Sequence, residues 1–77
     1  MNRRCLWTDW NLQKLADHDV TPEEFEAAIA NPLREVVSQS SGRPAVFGLV
    51  RGRLLFCVYD EIDADTILPR TACEVEE

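Results

Sequence analysis

The chain has 77 residues, of which 45% are hydrophobic and 29% charged, and this is the composition of one small globular domain over residues 1–77. The formal net charge of −6 opposes approach to a phosphate backbone, so the protein by itself is not expected to bind DNA. The three cysteines do not have the spacing of a zinc site, and neither a metal nor a cofactor is expected. No apolar run is long enough to cross a membrane, and an odd cysteine count without a signal peptide indicates reduced thiols in the cytoplasm.

Two helices are predicted in the first half of the chain. The first is expected from Trp10 to about Asp17, with Asp9 as its N-cap and with apolar residues on one face at helical spacing. The second begins after Thr21, because an N-cap Thr, Pro at the first helical position and Glu three residues after the cap form a start signal. The dipeptide 31–32, Asn-Pro, is expected to end this helix.

The stretch 42–60 predicts a β-hairpin, because Arg51-Gly52 joins two apolar runs and Gly supplies the positive φ of a tight turn. With these two residues as the loop, Val50 faces Arg53 and Phe47 faces Phe56. The side chains that alternate onto one face are then all apolar, namely Ala45, Phe47, Leu49, Leu54, Phe56 and Val58. The opposite face is mixed, with Val46, Gly48, Val50, Arg53, Leu55, Cys57 and Tyr59. We expect the helices to cover the apolar face through Leu12, Leu15, Phe25 and Ile29.

The remaining segments predict a fold of α+β class. Residues 1–8 are a short strand or a lead-in, 33–38 a short strand, and 60–65 an acidic turn. The last strand is expected from Thr66 to Leu68, ended by Pro69, with a helical turn or a frayed tail over 71–77. The expected architecture is two N-terminal helices packed on a three- to four-stranded antiparallel β-meander.

Three segments, taken in order, resemble the BrnT-like toxins. The helical segment 10–32 is similar to their opening through Asn11, His18, Val20, Thr21, Glu23 and Glu24. Residues 51–59, RGRLLFCVY, resemble their Gly-Arg-x-Leu-x-Val-x-Tyr strand, and residues 69–76, PRTACEVE, resemble their Ala-Arg-x-Ala-Thr-x-x-Glu segment. The resemblance implies a RelE-like fold and ribonuclease toxin activity that a partner antitoxin neutralises.

The chain departs from that family's pattern at charged positions. Asp19 stands where the family usually has Gly, while Asp17 and Asp65 stand where basic residues are common. The basic tail of the family is replaced here by residues 74–77, Glu-Val-Glu-Glu. These changes place negative charge where a polyanionic substrate favours positive charge, so they favour a catalytically inactive member of the same fold.

Four residues are candidates for metal-independent cleavage of RNA, a reaction that needs proton transfer and stabilisation of a charged phosphorane. His18 would transfer a proton, Arg53 and Arg70 would bind phosphate oxygens, and Tyr59 would donate a hydroxyl. Each has a structural alternative: His18 as a hydrogen-bonding residue between helices, Arg53 and Arg70 as partners of nearby acids, and Tyr59 as a half-buried sheet residue. Lys14 is expected to face solvent, and the two tryptophans to pack in the core or at the sheet edge.

The sequence is compatible with three hypotheses about function. The first is a toxin that cleaves RNA and binds an antitoxin, and the second is an inactive protein-binding module of the same fold. The third is an oligomerising domain that forms a homodimer through an open sheet edge.

Overall fold

The computed structural model describes residues 3–39 and 41–75. These residues form two helices and a sheet, which confirms the α+β class. The helices are α1 (Asp9–Asp17) and α2 (Pro22–Ala30), and the strands are β1 (Arg4–Cys5), β2 (Arg34–Val37), β3 (Pro44–Val50), β4 (Arg53–Glu61) and β5 (Thr66–Glu74).

The sheet has five strands in the order β1-β5-β4-β3-β2. Strands β2 to β5 form the antiparallel meander, whereas β1 joins β5 in parallel, with Arg4 opposite Thr66. The prediction of three to four antiparallel strands is therefore corrected to five strands with mixed pairing. The difference is β1, which has only two residues and so carries no alternation pattern that a sequence could reveal.

The β3–β4 hairpin has the predicted register. Val50 is opposite Arg53, and the pairing continues to Ala45 opposite Val58. Arg51 and Gly52 have φ of 53° and 79°. Positive φ at both loop residues is the turn geometry that matches the twist of the two strands.

Strand β5 continues through Pro69, which corrects the prediction that this proline ends the strand and that a helical turn follows. The Ile67 carbonyl accepts a hydrogen bond from Leu6 N–H at 3.0 Å, so the backbone groups of Ile67 point toward β1. Pro69 points to the same side two residues later, beyond the end of β1, where its missing N–H removes no ladder bond. A register shift between Val58 and Tyr59 adds a β-bulge at this point. Residues 76 and 77 of the predicted tail lie outside the described residues.

Helix α1 begins one residue earlier than predicted. Thr8, rather than Asp9, is its N-cap, and the Thr8 hydroxyl accepts from Asn11 N–H while the Asn11 side chain accepts from Thr8 N–H. Helix α2 begins as predicted, because Thr21 and Glu24 exchange the corresponding bonds of a capping box.

Asp19, the residue after the C-cap His18 of α1, has the left-handed conformation, with φ of 62°. Asp19 N–H donates to the Ala16 carbonyl, and Val20 N–H donates to the Leu15 carbonyl, both at 3.0 Å. These two bonds form a Schellman motif, which usually has Gly at the position of Asp19. The buried side chains of Leu15 and Val20 complete it with an apolar contact.

The helices cover the mixed face of the hairpin, which is the opposite of the prediction. Leu15 and Phe25 enter the core as expected, but they pack with strand residues of the mixed face. The buried cluster of helix and strand residues consists of Leu15, Val20, Phe25, Ala28, Val46, Val50, Leu55, Cys57, Tyr59, Ile67 and Ala72. Gly48 lets α2 approach β3 closely at Ala28. The two polar side chains of this face have partners, since Arg53 binds acids and Tyr59 binds Arg3. A mixed face can therefore be buried without unpaired polar groups.

The apolar face of the hairpin is turned away from the helices, and we call it the open face. It carries Ala45, Phe47, Leu49, Leu54, Phe56 and Val58. The rings of Phe47 and Phe56 lie 4.9 Å apart between centroids. Leu49 remains 59% exposed at the hairpin end.

Candidate functional site

A groove of about 460 Å³ lies along the open face beside α1. Its floor comes from β4 and β5, its walls come from α1 and the β2–β3 loop, and its lining residues are Trp10, Lys14, His18, Ser38, Ser41, Arg43, Phe56, Val58, Arg70, Thr71 and Cys73. It is a candidate site because it combines an apolar floor with a set of cationic and titratable side chains.

Helix α1 and the C-cap residue that follows it contribute three residues to this groove from one side of the helix. Trp10, Lys14 and His18 are spaced four residues apart, which places them one turn above another. The helix packs against β5, while the parallel strand β1 pairs only with the first two residues of β5. Because α1 packs on β5, His18 and Arg70 line the same groove.

The indole of Trp10 contacts two cations. The Arg70 Cζ lies 4.8 Å from the ring centroid, and the Lys14 Nζ lies 5.4 Å from it. These distances are within the range of cation–π attraction. Trp10 is 50% exposed, so part of its ring is accessible to a ligand.

Two arginines of the groove share one carboxylate. Arg43 Nε donates to Asp60 Oδ1 at 2.8 Å, and Arg70 Nη1 lies 3.5 Å from Asp60 Oδ2. Each oxygen of the carboxylate is thus directed at a different guanidinium.

The groove is basic although the protein is acidic. Lys14, Arg43 and Arg70 line it together with His18. The carboxylate of Asp60, which pairs with both arginines, offsets one of these positive charges. The whole chain carries a formal net charge of −6. A locally positive concave surface on a negative body attracts anions to that surface.

Of the four predicted site residues, the structure brings His18 and Arg70 to this groove and leaves Arg53 and Tyr59 elsewhere. Arg53 donates to Glu74 Oε1 at 3.0 Å, to Glu24 Oε2 at 2.9 Å and to the Asp19 carbonyl at 3.0 Å. Its hydrogen bond to Glu74, with further attraction from Glu24, raises the pKa of the Arg53 guanidinium. These contacts match the structural alternative, in which Arg53 pairs with nearby acids.

Tyr59 is buried on the helix side of the sheet. Its hydroxyl accepts from Arg3 Nη1 at 2.9 Å, and Arg3 Cζ also lies 5.5 Å from the ring centroid. Tyr59 is therefore a core residue whose hydroxyl has a hydrogen-bond partner in Arg3.

Sequence reasoning missed three of the groove residues. Lys14 is exposed, as expected, but its place in the groove was not predicted. Trp10 was expected to pack in the core or at the sheet edge, and Arg43 was not among the candidate residues. The spacing of Trp10, Lys14 and His18 by four residues was a signal that could have grouped them on one helical face. Arg43 and Arg53 make their ion pairs with different partners, Asp60 for the first and Glu24 and Glu74 for the second.

One thiol lies in the groove and two lie away from it. Cys73 is half-buried and lines the groove beside Phe56, its partner in the β4–β5 pairing. Burial raises the pKa of the Cys57 thiol to about 12 and that of the Cys5 thiol to about 11. Both of these thiols stay protonated at neutral pH.

Over residues 3–39 and 41–75, no group of three or more His, Cys, Asp or Glu side chains is placed to hold a metal ion. Neither of the helices described above is long and apolar enough to cross a membrane. In comparisons with known proteins, no protein-family model, curated protein or solved structure matches this chain.

Proposed function

We propose that the protein is a metal-independent endoribonuclease of the BrnT-like toxin class, with a RelE-like fold, which binds RNA in the groove and is neutralised by an antitoxin. One observation supports the proposal most: a histidine, three cations and an exposed indole line one groove on an otherwise acidic protein. RNA presents phosphates to the cations and a base to the indole, so both kinds of group have a counterpart in a single-stranded substrate.

In the proposed reaction the 2′-hydroxyl attacks the adjacent phosphorus, and the bond to the 5′-oxygen of the next nucleotide breaks. His18 either accepts the proton of the 2′-hydroxyl, while water donates a proton to the departing 5′-oxygen, or it donates a proton to that oxygen, while water accepts the proton of the 2′-hydroxyl. Arg70 and Arg43 bind the non-bridging oxygens, where negative charge accumulates during the displacement. Trp10 stacks against a base next to the cleaved bond.

Arg53 and Tyr59 have no catalytic role in this proposal. The guanidinium of Arg53 links β4 to both α2 and β5 through Glu24 and Glu74. Tyr59 holds Arg3 near the start of the chain. Both residues act on the stability of the fold.

The experiment incubates purified protein with mixed RNA in buffer that contains a metal chelator. His18→Ala should reduce the cleavage rate by about 10²-fold or more, which is the usual effect of removing a proton-transfer group. Arg70→Ala should reduce it by about 10- to 100-fold, because one charged hydrogen bond to the transition state is lost. Arg4→Ala is the matched control, since it removes one exposed positive charge outside the groove. Equal rates for the native protein and all three variants would refute the catalytic assignment.

A second candidate function, a protein-binding module, is favoured by the exposed apolar end of the open face. Leu49 is 59% exposed, and Phe47, Leu54 and Phe56 beside it are only half-buried. Such a contiguous apolar surface is typical of a site that another protein covers. The proposed antitoxin could use this surface even if the groove were inactive.

The test is co-expression with the product of a neighbouring gene that has the size of an antitoxin, followed by sedimentation of the purified complex. Leu49→Asp should abolish the complex, whereas Leu33→Asp should not, because Leu33 is similarly exposed (64%) but lies just before β2, outside the open face. Sedimentation of the protein without a partner tests whether it forms a homodimer. Such a dimer would form through the outer edge of β2.

A further inference from the structure

The arrangement of Asp60 between Arg43 and Arg70 has a feature that an ordinary surface ion pair lacks. One carboxylate directs its two oxygens at two guanidinium groups from separate segments of the chain, with Arg43 just before β3 and Arg70 on β5. A phosphate group can accept hydrogen bonds from two arginines in the same manner.

We infer that Arg43 and Arg70 form a binding site for a phosphate group, and that Asp60 occupies this site in the free protein as an internal competitor. The ligand is a phosphodiester of RNA or a free oligophosphate, because both present two adjacent anionic oxygens. The inference deepens the proposed function and rests on it only for the source of the phosphate.

The three side chains are accessible enough for a ligand to replace the carboxylate. Their exposed fractions are 38% for Arg43 and 32% each for Asp60 and Arg70. An ion pair at this exposure contributes little to stability. The free-energy cost of separating Asp60 from the arginines is therefore small compared with the binding of a phosphate group, which carries more negative charge. A phosphate group that enters from solvent would find both cations within its reach.

The backbone and the indole would keep the arginines in place after the exchange. Asp60 is opposite Leu68 in the β4–β5 ladder, so only its side chain has to rotate away. Arg70 follows Pro69 at the bulge and keeps its contact with the Trp10 ring, which does not depend on Asp60. The site is therefore preorganised for an anion, with a carboxylate that reduces its net charge from +2 to +1.

The test compares the native protein with Asp60→Asn, using two probes at the same ionic strength. One probe is inorganic pyrophosphate, followed by the shift in thermal unfolding, and the other is a fluorescent single-stranded oligoribonucleotide with 2′-O-methyl groups, which cannot be cleaved by attack of the 2′-hydroxyl. Asp60→Asn should bind both about fivefold more tightly, as expected when one like charge a few ångströms from the ligand is removed in water.

Two further variants make the result specific. Glu23→Gln removes one exposed negative charge on α2, outside the groove. It changes the overall charge as Asp60→Asn does, but both affinities should stay close to those of the native protein. Asp60→Asn combined with Arg70→Ala should lose the gain, because the second arginine of the site is absent. Circular dichroism and the urea midpoint establish that each variant is folded.

The possible outcomes separate this inference from the proposed function. Tighter binding of both probes by Asp60→Asn supports the inference. Tighter binding of pyrophosphate without any binding of the oligonucleotide supports the phosphate site and refutes RNA as the source of the phosphate. Unchanged or weaker binding of pyrophosphate by Asp60→Asn overturns the inference, whatever RNA does.

Discussion

Gly48 on β3 and Ala28 on α2 approach so closely that a Cβ built on Gly48 would lie 2.6 Å from the Ala28 Cβ and 2.8 Å from its Cα. Any other residue at position 48 would hold the helix away from the sheet. The contact therefore selects which face of the hairpin is buried, because the opposite face offers no comparable position for a helix backbone.

Gly48→Ala should lower the free energy of unfolding by about 1–3 kcal/mol, since an added methyl group cannot fit without moving α2. The measurement is the urea midpoint of the variant against that of the native protein. Gly52→Asn is the matched control, because a Cβ at Gly52 meets nothing within 4 Å and Asn tolerates the positive φ found there. An unchanged midpoint for Gly48→Ala would contradict the close packing of α2 on β3.

Asp19→Gly should leave the protein at least as stable as the native chain, whereas Asp19→Val should lower the free energy of unfolding by about 1–2 kcal/mol. Asp19 has φ of 62°, a region that a β-branched residue strongly disfavours. Thermal melts of the three proteins at neutral pH provide the comparison. The Schellman motif would be refuted as the end of α1 if the valine variant melted at the native temperature.

Glu24 should make stability depend on pH in the acid range. Its bond from Thr21 N–H, helped by the Arg53 guanidinium, holds the pKa of the Glu24 carboxyl below its usual value. A lowered folded pKa means that the stabilisation is complete above the unfolded pKa, about 4.3, and is lost as pH falls through the folded value.

The matched variant for this pH dependence is Glu24→Gln, which can keep the capping box but has no charge to pair with Arg53. The urea midpoint of the native protein should exceed that of the variant at pH 7, and the gap should narrow as the pH falls below the unfolded pKa of about 4.3. A gap of constant size from pH 7 to pH 3 would contradict a role for the charged form.

Cys73 should be the first of the three thiols to react with an alkylating reagent in the folded protein. It lines the groove, whereas burial raises the pKa of Cys57 and of Cys5 and keeps both in the unreactive thiol form. Mass spectrometry of the protein after brief treatment with iodoacetamide at pH 7.5 identifies the modified site. Cys73→Ser should abolish the early labelling, and equal labelling of all three residues would contradict the raised pKa of Cys57 and Cys5.

Local signals in the sequence predicted those parts of the fold that depend on neighbouring residues. The turn at Arg51-Gly52 fixed the hairpin register, and the capping box of Thr21 and Glu24 fixed the start of α2. The buried face of the hairpin could not be predicted in the same way, because both faces are rich in apolar residues. The choice depends on the contact of Gly48 with Ala28 and on ion pairs of Arg53, and these join residues far apart in sequence.

The candidate site was predictable only in part for a similar reason. His18 and Arg70 were chosen for their chemistry, and they meet through the packing of α1 on β5, which no local pattern encodes. Trp10 and Lys14 join them because they share the helical face of His18. The site lacks two residues of the predicted set, Arg53 and Tyr59, whose polar groups are used in contacts that stabilise the fold. It adds Trp10, Lys14 and Arg43, which were not in that set.

The parallel pairing of β1 with β5 also bears on how the chain is made. Arg3 binds Tyr59, which is 56 positions away, and Arg4 pairs with Thr66. While the ribosome synthesises the chain, β1 has no partner until the segment of β5 has left the exit tunnel. The native sheet is therefore completed after most of the domain has been translated, and a nascent chain that stops before β5 lacks the strand that lies between β1 and β4.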